Sequence, residues 1–467
     1  MQNYECPIAS RAQDHPDAPA VWDGDGVHSF AAYHAAIMRM VRAIPIANQE
    51  RVGICEPLSF GYLCLLHALL RQGGTVLPLS PRLPDAGMES VVARCGLSRV
   101  IRSEELDELA RTAGAEGGAH TRSPCDASIV VLTSGSSAAP KAVVHSVASL
   151  LSNAHGANTN MPLGQGDRWL LSLPLYHVSG LGTVMRAALA GAAIVIPGTE
   201  DLADAIAARS VTHVSVVAMQ LAPLLDAWER SGVPASLKGV LAGGSPIPAD
   251  LIRRAHRMGV PLHVSYGCTE MGSQVTTTRA GASLDELLTS GRALAGRAII
   301  MAKDGEILVR GACLCRGFLG QDGIRACTDA EGWYHTRDTG WMDEEGRLVV
   351  SGRRDRMFIS GGENICPEEI EELLLQHGDI EAAAVVEVAS ADYGFRPVAF
   401  VRMAQERDLS SVGVRAFLAE RVPGFKIPDA LWEWPADYPA GGLKTDLVFL
   451  RERARELIEA ATGLPAR

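Results

Sequence analysis

Ile129-Val130-Val131-Leu132-Thr133-Ser134-Gly135-Ser136-Ser137-Ala138-Ala139-Pro140-Lys141 passes from an unbroken aliphatic run into small and hydroxylated residues. So short an apolar run reads as a buried strand, and the polar stretch after it reads as the loop leaving its carboxyl end. Thr133–Lys141 packs four hydroxyls, one glycine and one lysine into nine residues. Small side chains let backbone N–H groups approach phosphate oxygens, hydroxyls add donors, and a lysine adds charge. The pattern G-x-x-x-x-G-K-[ST] is absent, so this is not a Walker loop. Taken alone, the segment serves equally well as a flexible surface loop.

Downstream, Trp169–Leu173, Ala193–Ile196, His213–Val217, Val240–Ala242 and Leu262–Tyr266 read as further strands, separated by amphipathic stretches such as Leu221–Glu229 and Asp250–Met258. This alternation predicts an α/β fold with a mainly parallel, helix-covered sheet, in which ligands bind beyond the carboxyl ends of the strands. The loops Pro174–Gly180, Gly243–Pro248 and Tyr266–Glu270 follow three of these strands. Together with Thr133–Lys141 they are expected at one edge of one sheet, around a single cleft.

A chain of 467 residues is too long for one ordinary core. Beyond Gly311 the texture turns to hairpins, with Asp343-Glu344-Glu345-Gly346 as a turn into a strand at Leu348–Val350. The reading is a large N-terminal domain over residues 1–351, a hinge at 352–355 and a small α+β domain over 356–467. The small domain is expected to contain a helix at Pro367–Leu375, strands at Ala383–Val388 and Val398–Arg402, and a terminal helix. The formal charge of −11 disfavours nucleic-acid and membrane partners, so any phosphate must be held by local geometry. Ten scattered cysteines form no CxxC pair, and Cys313 and Cys315 stand too close for an ordinary disulfide or a full zinc site. A reducing cytoplasm fits, and neither the first ten residues nor the apolar run Ala187–Pro197 suggests export or insertion.

The Thr133–Lys141 loop resembles the phosphate-binding signature of the adenylate-forming (ANL) superfamily of acyl-CoA synthetases, peptide-synthetase adenylation domains and luciferases. Residues 265–270 (Ser-Tyr-Gly-Cys-Thr-Glu), 332–340, Gly352-Arg353-Arg354-Asp355, 360–371 and Gly441-Gly442-Leu443-Lys444 resemble further signatures in the same order. The resemblance implies ATP, Mg²⁺ and coenzyme A. It places Thr133, Ser134, Gly135, Ser136, Ser137 and Lys141 at the phosphates, with Ser137 and Glu270 at the metal and Thr269 at a phosphate. Hard oxygen ligands suit that ion. Ser265, Tyr266 and Gly267 would lie along the adenine opposite Gly243, Gly244 and Ser245. Asp338 would accept from the ribose hydroxyls, an acceptor-only carboxylate being the right partner for a diol, with Arg353 nearby. Singly, Tyr266 serves as core, Asp338 as a turn cap and Arg353 as a surface ion pair.

By the same resemblance Lys444 relieves the charge that builds on the phosphoryl oxygens during adenylation. It precedes Thr445-Asp446, a good helix start. Asp355 matches the hinge about which the small domain swings, bringing Gly361-Gly362 beside a thiol channel where absent side chains leave room.

Residues 174–182 (Pro-Leu-Tyr-His-Val-Ser-Gly-Leu-Gly) resemble the acyl-pocket segment of o-succinylbenzoate–CoA ligases of menaquinone synthesis. This implies roles toward the acid for His177, Ser179 and Gly180, with His177 also catalytic. Arg186 matches an arginine of some of these ligases and would face a second carboxylate; it reads equally as a solvated helix arginine. Two departures stand out: Ser137-Ala138 where the superfamily has Thr-Gly, and Ala218-Met219 where these ligases have Pro-Thr. The implied partners are a carboxylic acid, ATP and coenzyme A, with a homodimer left open. A ligase for another aryl or fatty acid, a stand-alone enzyme loading a carrier protein, and a non-catalytic nucleotide-binding relative are the competing readings. The joint presence of Glu270, Asp338, Arg353 and Lys444 weighs against the last.

Overall fold

The computed structural model describes residues 6–462 apart from 25, 48, 84, 103–126, 134–140, 321, 355, 362, 391–392, 405–408, 410 and 440–444. Leu262–Cys268, Gly239–Ala242, His213–Val216, Arg168–Leu170, Ala193–Val195 and Pro19–Asp23 are successive parallel neighbours in a nine-stranded sheet. Parallel neighbours need long crossovers, and the helices Val178–Ala190, Leu202–Ala208, Ala218–Ser231 and Ala249–Arg257 supply them. The helix starting at Ala218 begins before the expected Leu221 because Gln220 Oε1 accepts from the Val217 N–H at 3.2 Å, satisfying an orphan donor of its first turn.

Ser128–Thr133 corrects the single-sheet expectation. It lies in a different, seven-stranded sheet, parallel to Thr75–Pro78 and antiparallel to Lys141–Ser146, with Thr133 opposite Lys141. The residues on either side of the expected phosphate loop, Thr133 and Lys141, therefore belong to neighbouring antiparallel strands, not to a strand and a following helix. Ala142-Val143-Val144, buried throughout, makes the return strand, as its aliphatic character dictates.

The hairpins start before the expected Gly311, in an antiparallel sheet of Arg297–Met301, Glu306–Gly311, Tyr334–Met342 and Leu348–Arg353. The last is longer than the expected 348–350. Asp343 Oδ1 closes the preceding turn by accepting from the N–H groups of Glu345 and Arg347, at 3.1 and 2.8 Å.

The last hundred residues build a sheet from Phe358–Ser360, Glu363–Ile365, Ile380–Ser390, Gly394–Met403 and Leu431–Glu433. Val385, Ala399 and Val401 pack on one face with Ile370 and Leu374 of the helix Pro367–Leu375. Ala384, Val386, Val398 and Phe400 pack on the other with Leu450 and Ala454 of the helix Leu447–Thr462. That is strand alternation with both faces covered. Neither core cluster contains a buried residue before Phe358. The chain is thus α/β, with a large N-terminal domain on helix-covered sheets and a small C-terminal one. Among the described residues no helix is long and apolar enough to cross a membrane.

Candidate active site

Asp338 sits at an inward position of the strand Tyr334–Met342, where Tyr334, Thr336 and Asp338 alternate with exposed His335 and Arg337. Arg353 lies directly opposite it on the neighbouring antiparallel strand, and register alone brings the Arg353 Nη1 to 3.0 Å from Asp338 Oδ1. Tyr266 donates its O–H to Asp338 Oδ2 at 2.6 Å. Burial, and then the Asp338 charge, push the Tyr266 phenol well up, so it stays a donor. Three of the expected nucleotide residues thus form one cluster linking two sheets. A carboxylate only accepts, which suits a diol. Asp338→Asn removes the charge with little change of shape, and its expected effect is a rise of about ten- to hundredfold in KM for ATP, measured with the acid saturating. An unchanged KM removes Asp338 from the nucleotide site.

Glu270 lies in the single turn Thr269–Met271 that follows the parallel strand Leu262–Cys268. The turn is held from beneath by buried polar groups. His145 Nε2 donates to the Thr269 carbonyl at 2.7 Å, and Asn153 Nδ2 donates to the carbonyls of Met271 and Gln274 at 2.8 and 3.0 Å. A carbonyl only accepts, so Nε2 carries the proton, and Nδ1 lies 3.1 Å from the Ser149 hydroxyl oxygen. Burial lowers the His145 pKa to about 4, which keeps that neutral tautomer. His145 belongs to the return strand of the phosphate hairpin, so the hairpin and the Glu270 turn share one wall.

The Glu270 side chain is 8% exposed, and burial, then the Glu270 charge, push the nearby Tyr334 phenol up. Among the described residues Glu270 makes no ion pair, and no cluster of three metal-binding side chains exists. One carboxylate without a cage fits Mg²⁺, which keeps its waters and takes phosphate oxygens as further ligands.

The glycines expected at the adenine are required by close approach. A Cβ on Gly243 would stand 2.8 Å from the Ser265 carbonyl oxygen, and one on Gly267 only 1.9 Å from that of Ser273. Gly244 has φ +81°, and Ser245 beside it is half-buried. Lys141 lies 5.6 Å from the centre of the Phe318 ring, and Thr133 Oγ1 bonds the Lys141 carbonyl at 3.5 Å.

Of the residues expected at the acid, His177 is the residue before the helix Val178–Ala190, partly buried, its ring 4.8 Å from that of Tyr176. Ser179 accepts at its carbonyl from Thr183 Oγ1 at 3.2 Å. Gly180 serves packing: a Cβ there would lie 2.3 Å from the Pro174 carbonyl oxygen. Arg186 is 2% exposed, which excludes a solvated helix arginine. Its Nε donates to Asn158 Oδ1 at 2.8 Å, Nη1 to Gln274 Oε1 at 2.9 Å and Nη2 to the Met161 carbonyl at 3.1 Å, all neutral acceptors. The indole of Trp169 lies 4.3 Å from its guanidinium carbon. Burial, and then the neighbouring Arg297, lower its pKa to about 9, and it remains charged at neutral pH.

Residues 8–319 match the AMP-binding enzyme family, and residues 369–439 match the AMP-binding enzyme C-terminal domain. The chain belongs to the AMP-binding enzyme family. It is 35% identical to the 2-succinylbenzoate–CoA ligase of Escherichia coli (strain K12) over 391 residues, 82% of this chain and 83% of that one. Its fold is similar to that of o-succinylbenzoate CoA synthetase (MenE) from Bacillus subtilis in complex with the acyl-adenylate intermediate OSB-AMP, with TM-score 0.86 and 27% identity over 93% of this chain and 95% of that one. The same Bacillus enzyme in complex with ATP and magnesium ion gives TM-score 0.83 and 26% identity over 92% and 95%.

In this AMP-binding enzyme, Ser134, Gly135, Ser136, Ser137, Asp355, Gly362 and Lys444 lie outside the described residues. Gly361 is described, with φ +59°; its N–H donates to the Tyr393 carbonyl at 2.8 Å, and a Cβ would meet the Tyr393 ring at 2.9 Å. Asp446 caps the terminal helix as expected, accepting at 3.1 Å from the N–H groups of Val448 and Phe449. Sequence reading missed His145, Asn153 and Arg297. For His145 and Asn153 the one signal is a polar residue in a mostly buried element; Arg297 opens the part-exposed strand Arg297–Met301 and carries none.

Proposed function

We propose that the chain is an ATP-dependent 2-succinylbenzoate–CoA ligase of menaquinone synthesis, acting in the cytoplasm. The observation that carries the choice of acid is the pair of buried guanidiniums Arg186 and Arg297, 2% and 9% exposed, neither with an ion pair among the described residues. Arg297 donates only to the carbonyls of Gln274, Ala295 and Asn153, at 2.8, 2.8 and 2.9 Å. Two unbalanced buried cations meeting at Gln274 favour a ligand with an anionic group besides the reacting carboxylate. Arg186 is walled from solvent, so it acts on that group by its field and through Gln274. Every cysteine among the described residues is free, as a reducing compartment requires.

In the first half-reaction a carboxylate oxygen attacks the α-phosphorus of ATP and pyrophosphate leaves. Thr133 and Lys141 flank the hairpin connection assigned to the phosphates, Tyr266 and the Gly243–Ser245 turn hold the adenine, and Asp338 fixes the ribose with Arg353 screening its charge. Glu270 and Ser137 are the residues to hold Mg²⁺, which supplies charge neutralisation at the phosphates. His177 borders the acid beside Ser179. Lys444 stabilises the charge developing on the phosphoryl oxygens. In the second half-reaction the small domain turns about Asp355, Lys444 withdraws and Gly361-Gly362 borders the incoming thiol. The thiol sulfur bonds the acyl carbon, AMP leaves with the bonding pair, and the thiol proton passes to solvent.

The test is acid-dependent ATP–pyrophosphate exchange across a panel of carboxylic acids, followed by addition of coenzyme A. Exchange with 2-succinylbenzoate and thioester formation are expected; exchange only with monocarboxylic acids refutes the assignment. Arg186→Ala should raise KM for 2-succinylbenzoate about ten- to hundredfold while KM for a benzoate analogue stays within about threefold. Equal changes for both would make Arg186 purely structural. One observation favours a different aryl acid: Met219, 60% exposed, opens the helix that follows the parallel strand His213–Val216. The same panel decides between them.

A further inference from the structure

Cys315 and Cys327 stand outside the chemistry assigned so far, yet their sulfurs lie 3.4 Å apart in thiol hydrogen-bond contact. They flank the base of a hairpin made by Gly317–Gly320 and Gly323–Arg325, which extends the phosphate-loop sheet alongside Lys141–Ser146. The Cys315 N–H donates to the Glu270 carbonyl at 2.7 Å, and the next N–H, of Arg316, donates to the Val144 carbonyl at 2.7 Å. Cys327 precedes Thr328, which bridges to Tyr334, whose phenol feels the Glu270 charge. The two thiols therefore join the segments that bear on the Glu270 carboxylate and on the phosphate hairpin. Cys315 is buried and Cys327 half-buried. The partly exposed thiols of Cys55 and Cys366 contact oxygen acceptors instead, the Ser80 carbonyl at 3.7 Å and the Ser351 carbonyl at 3.6 Å.

We propose that Cys315 and Cys327 are an oxidation site, where a peroxide-class oxidant closes a disulfide that displaces the Glu270 turn and shuts down adenylation. The half-buried Cys327 meets the oxidant first. Its sulfur attacks a peroxide oxygen, the O–O bond breaks, water leaves and Cys327 becomes a sulfenic acid. The Cys315 sulfur then attacks that of Cys327, the S–S bond forms and a second water leaves. Two thiols are oxidised and one peroxide is reduced to two waters; a dithiol reductant returns both electrons and both protons. From 3.4 Å the sulfurs must close by roughly 1.4 Å to reach bonding distance. The Cys315 N–H is fixed to the Glu270 carbonyl, so movement of Cys315 toward Cys327 carries the Glu270 turn with it. A shift of about 1 Å at a catalytic turn is enough to cost up to about a hundredfold in rate.

The activity part of this proposal rests on the ligase reading, whereas the cross-link does not. Reduced full-length protein is exposed to stoichiometric hydrogen peroxide, quenched with an alkylating reagent and mapped by peptide mass spectrometry, with pyrophosphate exchange measured in parallel. The expected result is a Cys315–Cys327 cross-linked peptide, a loss of exchange of about tenfold or more, and recovery with dithiothreitol. Cys327→Ser, at the more exposed position, should retain exchange under the same treatment, and Cys315→Ala is the second variant should the first fold poorly. Over-oxidation of Cys327 without the cross-link overturns the site. A cross-link that leaves exchange unchanged overturns its effect on Glu270.

Discussion

Lys444→Ala should lower acid-dependent ATP–pyrophosphate exchange by about 10²- to 10³-fold, while conversion of supplied acyl-adenylate to thioester stays within about threefold. The asymmetry comes from where charge appears. Attack on the α-phosphorus loads negative charge onto the phosphoryl oxygens, and a positioned ammonium is worth most there. Thioester formation develops its charge on the acyl oxygen, after the adenylate already exists. The residues bracketing Lys444 are anchored: the Asp446 N–H donates to the Tyr438 phenol oxygen, and the rings of Trp434 and Phe449 pack on Tyr438 at 5.3 and 5.4 Å. Stopped-flow or quenched measurements of the two half-reactions separate them, and equal loss in both would contradict the role.

The parallel run from Arg168 to Cys268 is legible in the sequence because each strand is followed by a stretch with helical periodicity long enough to cross over. Ser128–Thr133 is misplaced by the same reading for the converse reason. A short apolar run carries no mark of which sheet it joins, and its true partner Lys141–Ser146 lies just past the hydroxylated loop, with only Ala142-Val143-Val144 to announce it. The candidate site shows the same division. Asp338 and Glu270 are visible through short signatures, whereas His145 and Asn153, which hold the Glu270 turn, act on carbonyls 118 to 124 residues away. Long-range hydrogen bonds of that kind leave no local pattern. Arg186 lies between these cases. Its sequence neighbours Val184, Met185, Ala187 and Ala188 are all buried, and a charge inside a helix apolar on every side points to an interior role.

Glu270→Gln should reduce exchange by about 10²-fold or more at saturating acid, yet leave the melting temperature within about 2 °C of the parent. Both halves rest on what surrounds the carboxylate. No cation among the described residues pairs with it, so no internal ion pair is broken by neutralising it. The nearby Tyr334 O–H can donate to an amide oxygen as readily as to a carboxylate. The backbone bonds that fix the turn come from His145, Asn153 and Cys315 and touch only main-chain carbonyls, so they survive the change. What disappears is a formal negative charge at a buried position beside the phosphate hairpin, and with it the hard anionic oxygen that divalent magnesium prefers. Exchange measured across a magnesium titration should show the half-maximal concentration moving upward along with the fall in rate. A variant that melts far below the parent but retains exchange would make Glu270 a structural acid and leave the metal to be held elsewhere.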